Sequence, residues 1–105
     1  MFLSEADQDR SKLPAGERNA IYNAVRKLEA LGPDLPYPHS SDIAGSEGLR
    51  ELRPRAGRSP WRPLYTRVGE MFVIVAIAPE AQSDPRGFRG ACQRAAERLA
   101  ALEED

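Results

Sequence analysis

Arginine forks bind phosphate oxygens two at a time, and this chain concentrates arginine in one place. Six arginines fall between Arg50 and Arg67, in the stretch LRELRPRAGRSPWRPLYTR, against one acid, Glu51. The whole chain carries 15 basic and 16 acidic residues, a net charge of −1. Everything outside that stretch is therefore acidic on balance, and the molecule is strongly polarised. Trp61 and Tyr65 sit inside the basic run, and aromatic rings stack on unpaired bases. Arginines interleaved with aromatics on strands suit a phosphate-bearing partner. The same residues also describe a solvated, partly self-neutralised sheet face, and charge alone does not separate the two.

Other chemistry is sparse. One cysteine, Cys92, excludes an internal disulfide and fits a cytoplasmic location. One histidine, His39, beside that cysteine is too few for a zinc site, which wants three or four clustered Cys or His ligands. The acids are scattered rather than grouped for magnesium, so no metal or cofactor is expected. The longest apolar run, Met71 to Ala78, is far short of the ~18 residues that span a bilayer, so no membrane is expected either. The amino terminus MFLSEADQDRSK lacks the basic start and long apolar stretch of a signal peptide.

Elements must position these residues. At 105 residues the chain is one domain: a polar amino-terminal segment, 1–12, loosely ordered unless Phe2 and Leu3 add a short strand, then a single domain over 13–105. Pro14 suits a first helical turn. Ile21, Val25 and Leu28, flanked by Ala24 and Leu31, make a buried helical stripe, which Gly32 and Pro33 stop. Residues 32–48 hold three prolines and three glycines, and read as an ordered loop or a transit along the sheet edge. Three strands are expected next, Leu49–Arg53, Trp61–Val68 and Met71–Ala78. A hairpin at Val68-Gly69-Glu70 joins the last two. Leu64 and Tyr65 take opposite faces, Pro63 sits at an edge or bulge, and Met71–Ala78, apolar on both faces, is the central strand. Ser83-Asp84-Pro85 opens a last helix with Phe88, Cys92, Ala95, Leu99 and Leu102 as its apolar stripe. The order is α+β: an N-terminal helix, a three-stranded antiparallel meander and a C-terminal helix.

The motif order is also informative. A helix opens with LP and ends at LEALG, a Pro-rich loop follows, and then Gly48, Leu49, Glu51, Leu52 and Arg53 give GL-x-EL-R. An Arg/Gly loop leads to Arg62 and Tyr65 in R-x-x-Y, an apolar strand and a terminal helix. Over roughly residues 13–102 the chain resembles the RelE/HigB-like toxins of bacterial type II toxin–antitoxin systems, in the RelE/ParE superfamily. The resemblance implies a RelE-like fold and a metal-independent messenger RNA endoribonuclease (mRNA interferase) that inhibits translation, working on the ribosome. It also implies a helix-turn-helix, HigA-like antitoxin partner, with operator DNA bound only through that antitoxin. The pI of 5.9 fits a basic face masked by an acidic antitoxin segment. Two other readings stay open, a RelE-fold binding module that has lost catalysis and a gyrase-poisoning, ParE-like toxin. The chain departs from the family pattern in its short polar start, and in Glu80, which stands where a cation is expected; Arg86 is the nearest substitute.

Such a ribonuclease must take a proton from the 2′-hydroxyl and stabilise charge on the phosphate. The resemblance puts Arg62 and Tyr65 on family positions; with Arg53 they are the catalytic candidates, and Arg55, Arg58, Arg67, Arg86 and Trp61 are the RNA-binding candidates. Arg62, aimed by its strand, is the charge stabiliser or a ladder arginine paired with Glu51 or Glu70. Tyr65 stacks, moves a proton or lies in the core with a wet hydroxyl. Arg53 contacts phosphate or pairs with Glu51, and Arg55 and Arg58 touch phosphates or are solvated. Trp61 packs a strand start or serves as a base platform. The base is His39, outside the matched motifs, or Glu80 or Asp84. Cys92 belongs to the core.

Overall fold

The computed structural model describes residues 1–46 and 48–103. Its elements are α1 (Ser4–Ser11), α2 (Ala15–Leu31), β1 (Ser40–Asp42), β2 (Arg50–Leu52), β3 (Trp61–Val68), β4 (Met71–Pro79) and α3 (Pro85–Glu103), with 3₁₀ turns at Gly32–Asp34 and Pro54–Gly57. The strands form one four-stranded antiparallel sheet in chain order. The α+β class is as the sequence predicts.

The apolar run of β4 organises the layers. Ile74 and Ile77 face one cluster, with Ile21, Val25 and Leu28 of α2, Leu52 and Tyr65. Val73, Val75, Ala76 and Ala78 face the other, with Leu64 and with Ala91 and Ala95 of α3. The sheet thus lies between α1 and α2 on one side and α3 on the other. Val75 and Ala76 are consecutive yet face the same way because the register with β3 jumps from Leu64↔Ala76 to Tyr65↔Ile74. Val75 is the extra residue of a bulge. Its carbonyl accepts a hydrogen bond from Arg98 Nη1 at 2.8 Å, and the same nitrogen reaches Asp9 Oδ2 at 3.0 Å. One α3 arginine therefore fixes the bulge and ties α1 to it.

Several expectations need adjustment. The fourth strand, β1, comes from the Pro-rich segment, where Ser40, Ser41 and Asp42 pair with Leu52, Glu51 and Arg50 at the sheet edge. β4 ends the sheet rather than centring it. Its outer edge is partly covered by the first residues of the chain: Phe2 bridges Ile74, the Leu3 amide donates to Ile74 O at 3.0 Å, and the Ile74 amide donates to Met1 O at 2.7 Å. Residues 4–11 are not loosely ordered but form α1, anchored by buried Ala6. Pro63 is fully buried inside β3, tolerated because β2 is short and pairs only with Leu64 and Tyr65 on that side. Gly69 turns the hairpin with φ 62°. Asp84 caps α3 through the Gly87 amide at 2.9 Å. Leu102 and Leu31 are exposed, while Ala91 joins the buried stripe.

A cationic cleft beside a neutralised arginine cluster

Most of the arginine run is neutralised within the fold. Arg50 pairs with Asp42, Arg53 Nη1 with Glu51 Oε1 at 2.7 Å, Arg55 Nη1 with Glu17 Oε2 at 2.8 Å, and Arg62 Nη2 with Glu80 Oε2 at 3.0 Å. Arg58 and Arg67 are exposed and donate to the carbonyls of Arg55 and Gly69 at 3.1 and 3.0 Å.

Arg62 is the largest departure from expectation. It is neither exposed nor aimed at solvent: 4% of it is accessible. Besides Glu80 it donates to the carbonyls of Ser59, Gly57 (3.0 Å) and Trp61 (3.3 Å), and Glu51 lies 3.9 Å from Nε. Burial pushes its pKa down, nearby Arg53 adds to that, and Glu51 and Glu80 oppose it. Glu80, which stands where the family pattern has a cation, is thus the counter-ion of a buried guanidinium.

Tyr65 is a core residue. Its hydroxyl lies 2.5 Å from Ser40 Oγ and accepts from Arg50 Nε at 3.3 Å, and its ring meets Phe72 edge-on. Neither a stacking face nor a proton-transfer route is open there. Trp61 packs half-buried against the α2-side cluster. Glu80 accepts from Ser83 as well as Arg62, and Asp84 is engaged as the α3 cap, so neither is poised as a base. Arg86 is exposed on α3, across the sheet from α2. Cys92 is half-buried on α3, and burial pushes its thiol up.

The structure does gather other residues. A cleft of about 280 Å³ opens between α2 and the β2–turn segment. Ala20, Ala24, Leu35 and Leu52 form its apolar floor. Asn19, Asn23 and Lys27 stand along one wall, and His39, Arg53 and Arg55 along the other. Among the described residues no carboxylate lines it. Asn19, Asn23 and Lys27 share one face because spacings of four align on a helix. His39 and Arg53 are neighbours by backbone pairing, Arg53 N to His39 O at 2.8 Å. Lys27 makes no ion pair among the described residues.

The turn at Pro54–Gly57 gives this wall its shape. Arg55 and Ala56 hold φ of 57° and 56°, left-handed values that cost a residue with a Cβ about 1–2 kcal/mol each. Gly57 follows at φ 93°, and a Cβ there would lie 2.6 Å from Arg53 Nη2. Arg53 itself is held by Glu51 and by Pro38 O at 3.0 Å, and its Nη2 makes no hydrogen bond among the described residues. The turn is clasped to α2 by Glu17, which accepts from Ser59 Oγ and Arg55 Nη1, while Arg55 Nη2 donates to Gly16 O at 3.1 Å. The Ser59 hydrogen bond holds the Glu17 carboxyl below its ordinary value of 4.5; Arg55 acts in the same direction and burial opposes. Sequence reasoning placed Arg53 and Arg55 at a site and weighed His39, but missed Asn19, Asn23 and Lys27. Their spacing along one polar helix face was the available signal.

Residues 8–79 match the family described as phage-derived Gp49-like proteins. The chain belongs to that family. Gp49-like proteins commonly serve as RelE/HigB-type toxins of toxin–antitoxin systems, which agrees with a toxin role. All residues lining the cleft of this Gp49-like protein lie within the matched stretch. No curated protein matches the chain. No helix among the described residues is long and apolar enough to cross a membrane.

Two measurements check this account of the Gp49-like site. Arg62→Ala strands Glu80 and three carbonyls, and should lower unfolding free energy by about 3–5 kcal/mol, against roughly 0.5 kcal/mol or less for Arg58→Ala or Arg86→Ala; chemical denaturation compares the three. Glu17 has a depressed folded-state pKa, so its contribution is present above about pH 4.5 and is lost as pH falls through the folded value. The stability gap between wild type and Glu17→Gln should therefore narrow on acidification below pH 4.5; a gap constant from pH 7 to pH 3 contradicts the clasp.

Proposed function

We propose that this Gp49-like protein is the toxin of a type II toxin–antitoxin pair and cleaves messenger RNA, on the ribosome and without a metal, at the cleft between α2 and the Pro54–Gly57 turn. The observation that carries this reading is the cleft's lining, where Lys27, Arg53, Arg55 and His39 come together and, among the described residues, no carboxylate does. Such a site suits a phosphodiester: Lys27 has no ion-pair partner among the described residues, and the guanidinium groups of Arg53 and Arg55 line the opposite wall, each with one carboxylate partner set outside the lining. Arg53, weighed from the sequence as a phosphate contact or a partner of Glu51, makes that pair through Nη1 and also lines the cleft wall.

The chemistry follows from residue types. Arginine stays protonated and cannot take a proton; imidazole can near neutral pH. His39 takes the proton of the ribose 2′-hydroxyl as that oxygen attacks the adjacent phosphorus. Lys27 and Arg53 face the charge that builds on the phosphoryl oxygens, and the 5′-oxygen leaves with a proton returned to it. The partner in this reading is a helix-turn-helix antitoxin that covers the cleft with an acidic segment and carries the operator contact.

One observation favours a second reading. Glu80 neutralises Arg62, the strand arginine that the family resemblance makes catalytic, which is what a binding module without cleavage would show. The two readings part on product formation. Expression of the wild type should arrest bacterial growth, and purified protein with ribosomes should cut RNA but not its 2′-deoxy analogue. His39→Ala should slow cleavage by about 10²–10⁴ and Lys27→Ala by about 10²–10³, with Arg86→Ala unchanged. RNA bound but never cut supports the binding module. Undiminished cleavage by His39→Ala, or unaffected growth with intact RNA, overturns the proposal.

A further inference from the structure

Tyr37 is held at the surface without taking part in the core. It is 70% exposed, the most exposed of the large apolar side chains, and belongs to neither core cluster. Yet its ring is held. The Arg53 guanidinium lies 5.2 Å from the ring centroid, and Arg53 is itself fixed by its bond to Pro38 O, one residue on. Arg53 and His39 both line the cleft. Tyr37 therefore stands against a residue of the cleft wall, with its ring facing Arg53 and most of the side chain exposed.

We propose that Tyr37 is a stacking platform for an unpaired base of single-stranded RNA whose phosphate lies in the cleft. This deepens, and rests on, the reading of the cleft as an RNA site. Three features point to this occupant. An exposed ring backed by a guanidinium favours a planar partner on its open face. The neighbouring wall is cationic, so the planar group belongs to a molecule that also carries phosphate. Duplex bases are hidden in their own stack, so only an unpaired base reaches a ring at the surface. A ring's face does not distinguish one base from another, so Tyr37 adds affinity without sequence choice.

The test uses the full chain and short 2′-O-methyl RNA oligomers, which bind but lack the attacking hydroxyl, read by fluorescence anisotropy. Tyr37→Ala should weaken binding by about 5- to 150-fold, the usual loss per stacked base, and similarly for each homopolymer. Tyr37→Trp should bind as tightly as wild type or more so. An abasic oligomer should bind wild type and Tyr37→Ala alike. Equal affinity of wild type and Tyr37→Ala for the ordinary oligomer overturns the stacking role and leaves the cleft reading standing. So does an equal loss on the abasic ligand, which would place the effect on Arg53. Wild type that binds no oligomer overturns both.

Discussion

A buried positive charge dictates the layout of this protein. Arg62 lies inside the end of the sheet where β3 and β4 meet the 54–60 turn, and a guanidinium there is tolerated only when its donors are satisfied. Glu80 at the end of β4, Glu51 on β2, and the carbonyls of Gly57, Ser59 and Trp61 do so together. Those partners come from three separate stretches of chain. Once they converge on Arg62, the turn is pulled over the sheet, and with it Arg55 and Ala56 take up their left-handed conformation beside α2.

That arrangement divides the basic residues into two groups. Arg50 and Arg62 are spent on internal carboxylates and hydroxyls, and hold the strands in place. Arg53 and Arg55 also have carboxylate partners, but those partners lie outside the cleft lining, so the two side chains reach it with donors to spare. Lys27 and His39 join them from elements distant in sequence. Lys27, His39, Arg53 and Arg55 are therefore gathered in a cleft rather than spread over a sheet face. Arg86 lies on the far side of the sheet and Arg67 near the β3–β4 hairpin, so a single continuous arginine surface across the strands does not exist.

The strongest sequence signals were the most local ones. Ile21, Val25 and Leu28 announce α2 by period, Gly69 marks the hairpin, and Leu64 and Tyr65 separate to opposite faces as alternation requires. α1 was not legible, because seven polar residues with one buried alanine carry no stripe; the Asp9–Arg98 bond and the pairing of residues 1–3 with β4 hold it. β1 was hidden for a similar reason: Ser40, Ser41 and Asp42 contribute backbone pairing and little apolar surface. Residue type drew attention to Arg53 and Arg55, which both line the cleft. The neutralisation of Arg62 by Glu80, 18 residues on, and of Arg55 by Glu17, 38 residues back, depends on topology that no spacing rule supplies. Lys27, Asn19 and Asn23 read as an ordinary wet helix face until the turn is placed opposite them.

In the proposed function, RNA meets this molecule at the α2–turn cleft and not at the arginine-bearing strands. Chemical-shift mapping of the isotope-labelled protein with a non-cleavable RNA oligomer tests it most directly. The account predicts that the Asn19 and Asn23 carboxamide signals, the His39 ring and the Arg53 side chain move together and saturate with one affinity. Shifts confined to Arg67, Arg86 and their neighbours, with the cleft signals unmoved, would contradict it.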